Sequence, residues 1–272
     1  MKLQSVPARE GVRWVRRGFA VFFKQPMAFA GMFAAFYFTF FLLTLLPLVG
    51  PVLQLALLPL GSLGFMAATQ VALGGKFPTP RLFIEPLRGP RPQAMALVKL
   101  GLGYAAAVFL LTYLIDWVDG GALDALMSSF YDGNTSQEVF AARLADSRTA
   151  ILMLFGAFGL LAVPFWHAPA LIRWAGQGCA QALFSSTLAC WRNKGAFAVY
   201  SLTWVAVVLF FGLAANLVFA LIGQIQLVAV AAMPASLIFA TVFYASLYFT
   251  FVGSFVQDDP VLLETADNPG PA

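Results

Sequence analysis

Along the chain, long unbroken apolar runs are set apart by short polar joints. Six windows approach the roughly 20 apolar residues that a helix rising 1.5 Å per residue needs to cross the hydrocarbon of a bilayer. They are 27–47, 51–73, 96–117, 150–171, 196–221 and 228–252. Only Leu48-Val49-Gly50-Pro51 parts the first two, and only Gly223-Gln224-Ile225-Gln226 the last two. Both joints predict tight turns between antiparallel helices. Pro164 and Pro169 interrupt the fourth window and predict a kink or a shortened helix there. The expected fold class is therefore all-α: a polytopic membrane helix bundle with a single membrane domain over 1–257. A flexible acidic tail follows over 258–272, carrying Asp258, Asp259, Glu264 and Asp267.

Other segments show different periodicities. At helical spacing, Arg13, Arg16, Arg17 and Lys24 fall within about 100° of arc, opposite Val12, Val15, Phe19, Phe22 and Phe23. Segment 11–24 thus reads as an amphipathic helix lying in the headgroup layer. It ends at Lys24-Gln25-Pro26, where Met27-Ala28-Phe29 opens a span. The order recurs at Cys190-Trp191-Arg192-Asn193-Lys194-Gly195, where Ala196-Phe197 opens a span, which suggests a parallel internal repeat. The 118–149 connection holds Thr135-Ser136-Gln137-Glu138, a capping-box pattern. Two readings stand for it: a two-helix cap on the outer surface, or a solvated loop with helical turns. The 77–93 loop alternates Pro78, Pro80, Pro86, Pro90 and Pro92 with Arg81, Arg88 and Arg91. That composition predicts a stiff, extended, basic strip. It either hugs anionic headgroups or docks a cytoplasmic or membrane protein partner.

Composition sharpens the membrane reading. The chain is 61% hydrophobic and 10% charged, with mean hydropathy +0.83. Soluble domains run about 45–50% apolar and about 25% charged. The basic segment before the first window and the length of that window argue for an uncleaved span rather than a signal peptide. Of the 16 lysines and arginines, all but Arg143 and Arg148 fall in the N-terminal segment, the 74–99 connection or segment 172–195. The positive-inside rule then places both termini in the cytoplasm of an inner-membrane protein.

Candidate chemistry is sparse. There is no G-x-S-x-G, H-E-x-x-H or P-loop pattern, so no enzyme class, cofactor, metal or nucleic acid is expected. Cys179 and Cys190 match no zinc spacing and read as free thiols. The one histidine, His167, reads first as a hydrogen-bonded interfacial residue and second as a proton handler. The intramembrane polar candidates are Gln70, Asn216 and Asp116, the last at the outer end of its helix; Gln54 joins them as a source of interhelical hydrogen bonds. Gly61, Gly64, Gly101, Gly103, Gly156, Gly159 and Gly212 mark expected helix contacts. Trp14, Trp166, Trp174, Trp191 and Tyr104 read as interfacial belt residues. The headgroup candidates are Arg13, Arg16, Arg17, Lys24, Arg192 and Lys194.

A resemblance covers most of the chain. Met1-Lys2-Leu3-Gln4-Ser5-Val6-Pro7-Ala8-Arg9-Glu10-Gly11 with Trp14, then Arg17-Gly18-Phe19 and Lys24-Gln25-Pro26, form its opening motif. Leu45-Leu46-Pro47-Leu48-Val49-Gly50-Pro51, Ser62-Leu63-Gly64-Phe65-Met66 and Val118-Asp119-Gly120-Gly121 continue it. In these motifs the chain resembles a largely betaproteobacterial family of integral membrane proteins with no assigned activity. The resemblance implies an inner-membrane location. More distantly, the plan of elbow helix then span pair resembles the membrane domain of some bacterial glycerophosphodiester phosphodiesterases, without their catalytic portion. The function expected is non-enzymatic lipid binding or support of a membrane complex. The alternative is a permeation pathway for a small or lipid-like solute.

Overall fold

The computed structural model describes residues 1–131 and 136–256, so the 258–272 tail lies outside the described residues. Six helical segments are long and apolar enough to cross a membrane. They are α2 (Pro26–Thr44), α3 (Val49–Leu73), α4 (Arg91–Asp119), the broken pair α7 (Arg148–Phe165) and α8 (Ala168–Ala175), α10 (Lys194–Leu221) and α11 (Leu227–Ser254). The remaining helices are α1 (Glu10–Lys24), α5 (Ala122–Tyr131), α6 (Gln137–Asp146) and α9 (Cys179–Arg192). The fold is an all-α bundle. Among the described residues one small sheet pairs β1 (Lys2–Leu3) antiparallel with β2 (Phe255–Val256). That pairing ties the N-terminal segment to the end of α11, so both ends of the described chain lie on one side of the bundle, here the terminal side.

Helix length sets the architecture. α10 and α11 have 28 residues each and α2 has 19. At 1.5 Å per residue that is about 42 Å against about 28 Å, for a hydrocarbon layer of about 30 Å. The long helices therefore overhang α2 on the terminal side, and α1 fills the space. α1 runs antiparallel to α11: Trp14 sits against Gly253 and Gly18 against Ser246 and Val242, and Phe19 meets Phe239 at 6.4 Å. Its other flank follows α10, with Gly11 against the Ala196 and Tyr200 backbone and Phe19 5.7 Å from Trp204.

The apolar face of α1 therefore meets protein. The buried stripe of α1 is Gly11, Trp14, Val15, Gly18, Val21 and Phe22, and protein covers it. Two glycines at helical spacing let the backbones close, because a Cβ at Gly11 would overlap the Ala196 carbonyl. Trp14, expected in an interfacial belt, is 1% exposed.

Burial is graded along the spans. On α10 only Ala196, Tyr200 and Trp204 are buried, all near its start. On α11 the buried run is Thr241 to Ser254, and on α2 it is Ala28, Phe29 and Met32. The far halves expose large apolar side chains, among them Phe210 at 76% and Leu221 at 78%. Water would not tolerate such a surface; lipid solvates it.

The joints differ in detail from expectation. The α2–α3 turn uses Leu45 to Leu48, and Gly50 and Pro51 already belong to α3. Leu48 takes a positive φ of 66°, and Gly50 packs against the Leu43 carbonyl, where a Cβ would not fit. The α10–α11 turn falls where expected, with Gly223 at φ 70°. The proline interruption is a true break: α7 stops at Phe165, and α8 opens with Pro169 in its first turn.

The 77–93 loop is not an extended strip. It folds into two 3-10 turns, Pro80–Phe83 and Glu85–Arg88. The Phe83 ring packs on Phe65 at 5.2 Å and Phe36 at 5.5 Å, over Gly64. The 118–149 connection does contain a helix pair. Arg143 of α6 donates to the Ala125 carbonyl at 3.0 Å and the Ser129 hydroxyl at 2.6 Å on α5. The cap of α6 is Ser136, whose hydroxyl accepts from the Val139 N–H at 3.3 Å; Thr135 lies outside the described residues. The two elbow units keep the same order along the chain but pack differently. α1 lies on α10 and α11, whereas α9 lies on α7 and α8.

Candidate functional site

A lateral groove of about 840 Å³ lies between α2 and α11. It arises because α2 carries small residues, Ala30 and Ala34, one helical turn apart on the face toward α11. Phe33 and Phe38 on one side and Met233 and Leu237 on the other form its walls. Phe22 of α1 lies at its terminal-side end. The lining is almost wholly apolar. The Thr241 hydroxyl that reaches it is already bonded to the Leu237 carbonyl at 2.7 Å. Tyr37 also lines the groove; the apolar walls offer shape to an aliphatic chain.

Basic side chains gather on the same side of the molecule as Phe22. Arg13, Arg16 and Lys24 are exposed and Arg17 is half-buried. Lys24 stands two residues beyond Phe22 at the α1–α2 elbow, and Arg13 pairs within its own helix with Glu10. Arg192 and Lys194 are exposed on either side of Asn193, and the Lys194 ammonium sits 5.1 Å above the Trp191 ring.

Asn193 is the residue that sequence reasoning passed over. It is 1% exposed. Its Oδ1 accepts from the Val6 N–H at 2.9 Å, and its Nδ2 donates to the Gln4 carbonyl at 3.1 Å. Gln4 in turn donates from Nε2 to the Gly253 carbonyl at 2.9 Å. The second elbow therefore clamps the N-terminal segment against the end of α11.

The polar candidates do not converge. Asn216 lies near the far end of α10, exposed, and its Nδ2 donates back to the Gly212 carbonyl of its own helix at 2.8 Å. Gln70 is half-buried near the terminal-side end of α3. The expected interhelical bond from Asn216 is thus absent, whereas Gln54 makes one, to the Phe40 carbonyl at 2.8 Å. Other interhelical bonds come from hydroxyls: Tyr200 with Ser246 at 2.6 Å, and Thr69 to the Ala245 carbonyl at 3.1 Å. Asp116 is exposed, as expected at a helix end, and shares a hollow of about 410 Å³ with Asp124.

The His167 ring, expected to be hydrogen-bonded, makes no hydrogen bond. It is 0% exposed at the α7–α8 break, and neither ring nitrogen has a partner. Phe197, Phe251 and Phe255 surround it at 5.6 to 5.8 Å. Its backbone N–H is held by the Ser186 hydroxyl at 3.0 Å. Both cysteines are free, and burial pushes the Cys190 thiol up to about 12. Of the expected contact glycines, Gly61, Gly64 and Gly101 meet neighbours closely; Gly103, Gly156, Gly159 and Gly212 meet nothing within 4 Å.

Comparison with known proteins adds one relative. Over 266 residues the chain is 35% identical to a probable inner membrane protein of Burkholderia thailandensis, covering 96% of both chains. The chain belongs to that protein's family. It is a multi-pass membrane protein, as the six apolar helices and the relative's name agree. No family model and no solved structure matches the chain, and the comparisons give no support to the phosphodiesterase likeness.

Proposed function

We propose that the protein is a non-enzymatic, lipid-binding protein of the bacterial inner membrane, with both termini in the cytoplasm. It holds one anionic phospholipid with an acyl chain in the α2–α11 groove. The observation that carries this reading is the apolar groove of about 840 Å³, with the Lys24 elbow at its terminal-side end. Its volume lies within the range of ligand pockets, roughly 300–1,000 Å³. An acyl chain gains little hydrophobic free energy by leaving bulk lipid for the groove, since both are hydrocarbon. Retention and selectivity must therefore come from shape and from the headgroup, where each nearby Lys or Arg is worth about 1 kcal/mol. A permeation pathway through Gln70 and Asn216 has no support in their placement at opposite ends of the bundle. A partner docking on 77–93 would meet the exposed Arg81, Arg88 and Arg91 on a loop already anchored by Phe83.

The test is purification in native lipid particles with mass spectrometry of retained lipid and protein. The wild type should retain an anionic phospholipid at near-stoichiometric amounts. Ala34→Trp should evict it by filling the groove. Replacing Arg13, Arg16 and Arg17 together with Ala should weaken retention by roughly a hundredfold at low salt, from three such contacts. Unchanged retention in both variants would end the proposal. A protein recovered at one-to-one, with no enriched lipid, would make this a subunit of a complex instead.

A further inference from the structure

A second space is an open cleft on the bundle, walled by α3, α4, α7 and α11, and it does not depend on the groove. Its volume is about 140 Å³, and it is lined by Ser62, Tyr104, Phe165, Trp166, Phe243 and Tyr244, among others. A liquid water takes about 30 Å³, so the pocket fits a group of a few heavy atoms rather than a whole lipid. The aromatic rings stand steeply to one another like the sides of a box. Tyr104 and Phe165 are 5.0 Å apart at 74°, Trp166 and Phe243 6.0 Å at 85°, and Phe243 and Tyr244 5.8 Å at 77°. Trp166 is fixed by its Nε1–H, which donates to the Thr250 hydroxyl at 3.1 Å. The pocket abuts the place where α7 breaks after Phe165.

Its hydrogen-bonding capacity is uneven. The Ser62 hydroxyl donates to the Pro59 carbonyl at 2.8 Å, and Tyr200, elsewhere in the bundle, is matched by Ser246. The hydroxyls of Tyr104 and Tyr244 make no hydrogen bond among the described residues, and both residues line the cleft. Both tyrosines are half-buried, so two phenol donors stand ready on one cleft for an acceptor that enters it. No charged side chain lines the pocket, so a charged occupant would lose its hydration without a counter-charge. The occupant that fits is neutral, flat or small, and rich in acceptors. We propose that this pocket binds a neutral carbonyl-bearing headgroup through hydrogen bonds from Tyr104 and Tyr244. A quinone ring and the ester carbonyl of an uncharged lipid share that chemistry.

The test titrates the purified full-length protein in lipid nanodiscs with two probes, a benzoquinone bearing a decyl chain and dioctanoylglycerol, and reads binding calorimetrically. Saturable binding of either probe is expected, weakened roughly three- to tenfold by Tyr104→Phe and again by Tyr244→Phe. Neither hydroxyl bonds to the protein, so these variants should melt as the wild type does. Ala162→Phe, which fills the pocket, should abolish binding. Binding of the quinone alone assigns the ring as the ligand, and binding of the glyceride alone assigns the ester. If neither probe saturates, or if the Tyr104→Phe/Tyr244→Phe double variant binds as tightly as the wild type, the proposal is overturned.

Discussion

Asn193 shows how much a single buried amide can hold. It satisfies a backbone donor and a backbone acceptor of the N-terminal segment, and truncating it leaves the Val6 N–H and Gln4 carbonyl unpaired. Asn193→Ala should cost about 1–3 kcal/mol. The visible result should be faster hydrogen exchange over residues 1–8 with the bundle core unchanged. The cysteines separate by burial. Cys190 is buried, which pushes its thiol up to about 12, whereas Cys179 is half-buried, with its thiol raised by the same cause. Because the thiolate is the reacting species, a maleimide at pH 8 should modify Cys179 well before Cys190. Equal labelling rates would mean that α9 opens freely. The environment of Asn193 was not legible from spacing, since its partners lie 187 and 189 positions away along the chain.

At the scale of elements, periodicity located the helices well and described their surroundings badly. The amphipathic character of α1 is plain in Arg13, Arg16 and Arg17 against Val15 and Phe22. What covers its apolar face, lipid or protein, depends on the overhang of α10 and α11. The 3-10 turns of the 77–93 loop were hidden for a similar reason. Proline content predicts stiffness, but Phe83 finds a site above Gly64 that only the folded α2–α3 pair creates. Phe83→Ala should remove about 3–5 kcal/mol of packing. Trypsin should then cut faster at Arg81, Arg88 and Arg91 than in the wild type. Unchanged cleavage would show that the turns hold themselves.

For the whole molecule, the pairing of β1 with β2 places both ends of the described chain on one side, and the proposed topology makes that side cytoplasmic. In a background without Cys179 and Cys190, Ser5→Cys should resist a membrane-impermeant maleimide in intact cells, and Ser128→Cys on α5 should react. The reverse pattern would invert the topology. The sequence alone determined the all-α class and the number of spans, because crossing hydrocarbon demands about 20 apolar residues in one continuous run and each run is local. It also showed both elbows, which are local charge patterns. Only the tertiary structure decided which apolar faces meet protein and which meet lipid. It alone left His167 without a partner, opened the α2–α11 groove, and placed Tyr104 and Tyr244 on one pocket. Side chains in lipid and in protein are equally apolar in sequence, so no pattern distinguishes them until the helices take their positions.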